Sequence, residues 1–390
     1  MRARTRWCRS FAVSTVLAAV MVVVAGCDSG GDGKIKIGAV AGLTGNFVTT
    51  DVVKTATQVF NDVNARGGVN GRQVEYVVKD DAGNPQRTAQ VARELLDDDV
   101  VAMAGSASFT DCDVNGGFYK QSGISSVMAV GASPKCFQSP NIAPVNVGPF
   151  TLMTAVLKYA SEALQTKRVC NFTVVLPGSE DAVQQALGRW SALTGQQLVV
   201  NDLTVQQSGD PTPYLLRAKQ AGCDAVLFNP TEQLVVPWLQ AAKTQGMNDV
   251  NFLLLAPSYT DSVAKAVGGL GLKIYAGSEF EPYTADTPAN REWRDTVQRA
   301  GAPATAFSQG GYLSAKFMVN VLQGIKGEIT KDSVNDALKK MAPVADPMLG
   351  TPFVFGGAET HSPNQASKIV RLENGRWTVA TPEFITLPAS

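Results

Sequence analysis

Histidine is almost absent from this chain, with His361 alone among 390 residues. The six cysteines show no CxxC spacing, so a metal site built on imidazole and thiolate ligands has almost nothing to draw on. Ser-His-Asp chemistry would have to use His361, in a polar loop, and no GxSxG elbow is present. Ser262-Val263-Ala264-Lys265 matches SxxK, but its partner motifs are missing and one helical turn produces that spacing by chance. Gly38, Gly42 and Gly45 lack GxGxxG spacing, and there is no GxxxxGK[ST] phosphate loop. Charge of neither sign is in excess: Lys plus Arg and Asp plus Glu number 34 each, which argues against nucleic acid as a partner. These gaps argue against an enzyme and against a metal or cofactor.

What is present begins with an export leader. Arg2, Arg4, Arg6 and Arg9 precede an apolar run from Phe11 to Gly26 that falls short of the roughly 20 residues a membrane span needs. Val24-Ala25-Gly26-Cys27 has the order of a bacterial lipobox, so residues 1–26 are expected to be removed and Cys27 acylated as the new N-terminus. Residues 27–33 then form a flexible tether. Cys8 leaves with the leader and Cys27 takes lipid, which leaves Cys112, Cys136, Cys170 and Cys223. An even number in an oxidising compartment predicts two disulfides. Three pairings are possible, and chain order favours Cys112 with Cys136 and Cys170 with Cys223.

The remaining chain is too long for one ordinary core and fits two domains. Short β-rich runs alternate with helical patterns, the signature of parallel sheets covered on both faces. Lys34–Ala41, Gln73–Lys79, Val100–Ala104 and Ile124–Val130 read as strands, with helices at Thr49–Ala65, Pro85–Leu96 and Val114–Gln121. The pattern restarts after Pro149, with strands expected at Phe172–Leu176, Leu198–Val205, Ala225–Phe228, Phe252–Ala256 and Leu272–Phe280. Three further helices precede short strands at Pro352–Phe355, Ser367–Leu372 and Trp377–Ala380.

Two stretches carry a family resemblance. Asn64-Ala65-Arg66-Gly67-Gly68-Val69-Asn70-Gly71-Arg72, followed by Asp80-Asp81-Ala82-Gly83-Asn84-Pro85, resembles the leucine/isoleucine/valine-binding protein family, and the similarity continues through Val91–Gly105. The resemblance implies a type I periplasmic-binding fold: two doubly wound α/β lobes joined by three crossings near Val147–Pro149, Glu281–Tyr283 and Phe355–Pro363. Residues 34–147 with 284–355 would form one lobe, and 148–283 with 356–390 the other. It further implies an extracytoplasmic, lipid-anchored monomer that closes on a small polar or amphiphilic solute, such as a branched-chain amino acid or a related compound, and delivers it to an ABC importer permease. A lipoprotein that presents its solute to a separate sensor is the alternative.

The resemblance also marks ligand positions. In the first lobe these are Thr44 and Phe47 after the first strand, Ser106, Ala107, Ser108, Phe109 and Asp111 after the third, and Val130, Gly131, Ala132 and Ser133 after the fourth. Ser108 or Thr110 could equally cap the following helix. In the second lobe the positions are Ser179, Glu180, Thr231, Glu232, Ser258 and Tyr259. An amino acid's ammonium needs a carboxylate once buried, yet Ser258 stands where the family has glutamate and Thr231 where an aromatic is expected. Glu180, Glu232 and Asp111 could supply the charge, but each lies near a helix start, where capping also explains it. The anchor has a direct test: Cys27→Ala should release the protein from membranes on fractionation, and retention there would refute lipidation.

Overall fold

The computed structural model describes residues 33–388 apart from 46, 207, 230 and 231, and apart from the side chain of Glu232. The leader, Cys27 and most of the tether lie outside the described residues.

The alternation resolves into two sheets. The first contains β1 (Ile35–Ala41), β2 (Val74–Asp80), β3 (Ala102–Ala104), β4 (Ser126–Met128) and β5 (Ile142–Pro144) in the order β2-β1-β3-β4-β5, with every pairing parallel. The intervening helices are α1 (Thr50–Ala65), α2 (Pro85–Asp97), α3 (Asp111–Ser122) and the short α4 (Pro134–Phe137). The chain then leaves this sheet through α5 (Pro149–Glu162). The second sheet follows as β6 (Val169–Phe172), α6 (Glu180–Thr194), β7 (Val200–Asp202), α7 (Thr212–Gln220), β8 (Ala225–Phe228), α8 (Glu232–Thr244), β9 (Asn251–Leu254), α9 (Asp261–Val267) and β10 (Lys273–Ser278). Next come α10 (Arg291–Ala300) and α11 (Ala306–Gly324), which pack on α1, and α12 (Lys331–Lys339), which packs on α11. The chain returns to the second sheet as β11 (Ala366–Glu373), β12 (Arg376–Val379) and β13 (Ile385–Thr386), giving the order β12-β11-β10-β9-β8-β6-β7 with β11 and β12 antiparallel. Two α/β lobes crossed three times by the chain are thus present, as the sequence implied.

The glycine-rich motif works as a corner. Asn64 binds Val74 through both of its amide atoms, donating to the carbonyl at 2.7 Å and accepting from N–H at 2.8 Å, which pins the end of α1 to the start of β2. Gly68 has φ +78°, and a Cβ there would stand 2.1 Å from the Arg72 carbonyl, so only glycine fits the turn. The two aspartates that follow organise loops. Asp80 accepts from the N–H and hydroxyl of Thr44, and Asp81 gathers the hydroxyls of Thr88, Ser108 and Thr110.

Three local expectations differ from what is observed. The strand expected at Phe172–Leu176 lies at Val169–Phe172, because β7 and β8 pair with it on both sides in that register. Beyond Phe172 the Val174 N–H is held at 2.8 Å by the Asn229 side chain instead of a neighbouring strand. Pro352–Phe355 forms a single bridge, Val344 to Phe353, rather than a strand. β5 was not foreseen, since its three residues end in Pro144, which the outermost position in the sheet tolerates.

Both favoured disulfides are present, Cys112–Cys136 with Cα atoms 5.1 Å apart and Cys170–Cys223 with Cα atoms 5.9 Å apart. The first ties α3 to α4, and the second ties β6 to the turn before β8. Replacing both members of the first pair, Cys112→Ser with Cys136→Ser, should lower unfolding free energy by about 3 kcal/mol, measured by urea titration; an unchanged midpoint would show that the bridge contributes nothing.

Candidate functional site

The carboxyl ends of β3, β4, β6, β8 and β9 turn toward one cleft, where the loops of both lobes enclose a cavity of about 330 Å³. From the first lobe come Phe47, Phe109, Val130, Gly131, Ala132 and Phe307. Opposite them stand Val174, Leu176, Asn229, Gln233 and Leu234 with the Leu255–Pro257 corner. Asn146, Pro149, Leu152 and Glu279 line it at the crossings. A second pocket of about 490 Å³ shares Phe47, Gln233, Ala256, Pro257 and Phe307 and extends to Tyr259, Thr260 and Asp51. Another hollow, bounded by Lys158, Tyr159, Glu162 and residues 380–386, shares no residue with the cleft.

The walls are predominantly apolar, and three phenylalanines set their character. The Phe47 ring meets Phe109 edge-on with centroids 4.0 Å apart and Phe307 at 5.8 Å. Phe307 is carried by the first turn of α11, whose start is fixed by a capping box between Thr305 and Ser308. Asp51 accepts from the Thr305 hydroxyl, joining that cap to α1. The helix can lie this close because Gly310 and Gly311 have no side chain: a Cβ would come within 2.6 Å of the Ala129 carbonyl at the first and 2.4 Å of the Val52 carbonyl at the second.

Polar groups in the cavity are few. Among the described residues no lysine or arginine lines it, and Glu279 is the single carboxyl group. Glu279 follows β10 and is 3% exposed. Its Oε1 accepts from Asn146 Nδ2 and from the Gly148 N–H, both at 2.8 Å. Gly148 is the N-cap residue of α5, so the positive end of that helix faces the carboxylate. Asn364, just before β11, donates to the Glu279 carbonyl at 3.1 Å and to Val145 at 3.4 Å. One carboxylate and two asparagines therefore tie together the segments after β5, after β10 and before β11. Burial pushes the Glu279 carboxyl up to about 7 even though the two hydrogen bonds oppose the shift.

Of the positions marked from the sequence, the structure brings Phe47, Phe109, Val130, Gly131 and Ala132 together around the cavity. Tyr259 lines the adjoining pocket, its hydroxyl 2.8 Å from Thr284 Oγ1 and its ring 4.4 Å from that of Tyr283. Ser258 is buried in the same 3-10 turn as the lining residues Ala256 and Pro257. Thr44 is exposed and bound to Asp80. Ser106 is buried and accepts from the Val40 N–H, while Ala107 bonds β1 and the Thr49 hydroxyl through its backbone. Ser108 donates to Asp81 and accepts from the Thr110 and Asp111 N–H groups at the start of α3. Asp111 is enclosed with Asn115 at 2.8 Å and Tyr119 at 2.7 Å, and burial pushes it up to about 6. Ser133 and Ser179 are buried N-cap residues of α4 and α6, and Glu180 is exposed at the start of α6. Thr231 and the Glu232 side chain lie outside the described residues.

Sequence reasoning missed Asn146, Asn229, Gln233, Glu279 and Phe307. Glu279 has a signal in hindsight, since it is an acidic residue inside a run, Leu272–Phe280, that otherwise reads as a buried strand.

Residues 34–376 match the family described as periplasmic binding protein. An amino acid binding protein of Pseudomonas aeruginosa is 22% identical over 220 residues, which covers 55% of this chain and 58% of that relative, so the chain spans under two thirds of the curated relative it matches. Among solved structures, a fatty acid ABC transporter substrate-binding protein from Thermomonospora curvata superposes with TM-score 0.77 at 17% identity, covering 91% of this chain and 93% of the other. A solute binding protein of an ABC transporter from Rhodopseudomonas palustris, in complex with p-hydroxybenzoic acid, gives 0.76 at 18% identity over 91% and 97%. The branched-chain amino acid transporter substrate binding protein LivJ from Streptococcus pneumoniae, in complex with isoleucine, gives 0.75 at 17% identity over 91% and 100%. These likenesses establish the shared fold.

The buried carboxyl has a measurable consequence. A group whose folded value is raised to about 7 binds its proton more tightly folded than unfolded. Its contribution is therefore lost as pH rises through 7, by on the order of 3 kcal/mol once it is ionised. Glu279→Gln keeps an acceptor for Asn146 and Gly148 and should gain stability over the wild type between pH 5 and pH 8. A constant difference in melting temperature across that range would contradict the burial.

Proposed function

This chain belongs to the periplasmic binding protein family, and on that premise we propose that it is the extracytoplasmic, lipid-anchored substrate-binding subunit of an ABC importer. The family is one of binding proteins, not of enzymes. One lobe is assigned residues 34–147 with 284–355, the other 148–283 with 356–390, and solute capture is by their closure. The reading rests on one observation above others: a cavity of about 330 Å³ between the lobes, with apolar walls and few convergent polar groups, which suits a small organic solute.

The composition of the cavity bears on the cargo. Three phenylalanines, Leu152, Leu234 and Leu255 offer surface to an apolar body. Solved relatives are named for fatty acid, isoleucine and p-hydroxybenzoic acid, so the fold accommodates several amphiphilic cargoes. Ser258 is neutral where the resemblance places the partner of an amino acid's ammonium, and among the described residues no lysine or arginine lines the cavity to meet an α-carboxylate, which favours a compound without the zwitterionic head of a free amino acid. Delivery to a permease is preferred to presentation to a sensor because transporter subunits recur among the solved relatives.

A thermal-shift panel of branched-chain amino acids, aromatic acids, fatty acids, amides and aryl or alkyl amines should show compounds with a large apolar body raising the melting temperature. Phe307→Ala should abolish that shift while leaving the unliganded melting temperature within a few degrees. A response confined to leucine, isoleucine and valine would defeat the amphiphile reading, and no response to any class would defeat the solute-binding reading.

A further inference from the structure

We propose that Glu279 is the specificity-determining residue of the cleft and that it selects a monocationic organic ligand, an ammonium or amidinium carried on an apolar or aromatic body. The inference rests on reading the cleft as a solute site and names the chemistry of that solute.

The geometry sets Glu279 apart from the buried acidic residues Asp111 and Asp51. Asp111 is enclosed by Asn115 and Tyr119, and Asp51 by the Thr305 cap. Both hydrogen bonds to Glu279 end on Oε1, and among the described residues none ends on Oε2. The side chain nevertheless lines the cavity while being 3% exposed. A carboxyl oxygen thus borders a predominantly apolar space with no lysine or arginine in its lining among the described residues. The ionisable groups on the neighbouring crossings are engaged elsewhere. Lys368 pairs with Glu281 at 2.7 Å, and His361 Nδ1 lies against the carbonyls of Ser139 at 2.7 Å and Ile142 at 3.0 Å.

Charge balance then chooses among ligands. An anion would find no lysine or arginine in the cavity among the described residues and would oppose ionisation of Glu279, so its charge would stay uncompensated. A cation supplies the charge that the site lacks, and the faces of Phe47, Phe109 and Phe307 favour it as well. Asn229 and Gln233 can accept from its remaining N–H groups. Such a ligand meets its carboxylate at the junction of the crossings, so it also engages the segments that move when the lobes close.

Binding a cation must favour the ionised carboxyl, so the ligand's affinity is coupled to the proton that burial retains on Glu279 near neutrality. The test uses three matched probes, 4-phenylbutylamine, 4-phenylbutanol and 4-phenylbutyrate, titrated calorimetrically into the full mature chain at pH 8 and pH 6. The amine should bind most tightly, weaken about tenfold between pH 8 and pH 6, and release close to one proton at the lower pH, read from two buffers of different ionisation enthalpy. Glu279→Gln should erase both the preference for the amine and its pH dependence. Tighter binding of the acid, an affinity that rises toward pH 6, or a preference that survives in Glu279→Gln overturns the assignment and leaves the solute-binding reading standing. Failure of all three probes also overturns it, and the broader panel then decides separately whether the cleft takes a solute. The proton count on the wild type requires no variant and so does not depend on whether Glu279→Gln folds.

Discussion

The architecture turns on a carboxylate that one lobe-crossing segment offers to another. Glu279 leaves the second sheet and receives N–H groups from Asn146 and Gly148, which leave the first, and Asn364 closes the set from the segment just before β11. A buried carboxylate costs the fold stability once ionised, so these bonds fix geometry more than they add free energy. What they fix is the place where α5 begins, and with it the floor of the cleft. The cavity walls on either side are built from loops of separate sheets, and their relative position is meaningful only because these three segments meet at this point.

The two sides of the cleft differ in how they are braced. The Cys112–Cys136 bridge ties α3 to α4, whose preceding loops carry Phe109 and residues 130–132. Asp81 draws Ser108 and Thr110 to the same place. On the second side Asn229 bonds Val174 and a 3-10 turn precedes Tyr259. One wall is an aromatic surface tied by a disulfide and the other a set of separate corners.

Much of the fold was legible because helical periodicity and β-rich runs are local signals. α1, α2 and α3 fall within a few residues of their expected bounds, and the disulfides agree with the pairing that compartment and chain order favour. The site was legible only where a loop after a strand carries it, as at Phe109 and Val130–Ala132. Glu279 and Phe307 escaped because their role depends on long-range return of the chain: one lies at the exit of the last parallel strand, the other on a helix that travels back to the first lobe. Ser106, Ser108 and Asp111 drew attention as polar residues in a pocket loop, and their partners lie within the lobe itself. Polarity in such a loop does not distinguish a group that holds a ligand from one that holds the loop.

The glycine pair in α11 carries that lesson outward from the cavity. Gly310 and Gly311 touch no ligand space, yet the approach of α11 to the Ala129 and Val52 carbonyls depends on their lack of a side chain. Ala129 adjoins the cavity residue Val130, and the same helix delivers Phe307 one turn earlier. The bore of the cleft is thus gauged from behind its wall, by two residues that act as spacers of zero thickness. Cargo size in a protein of this build can shift through substitutions that no inspection of the lining would single out.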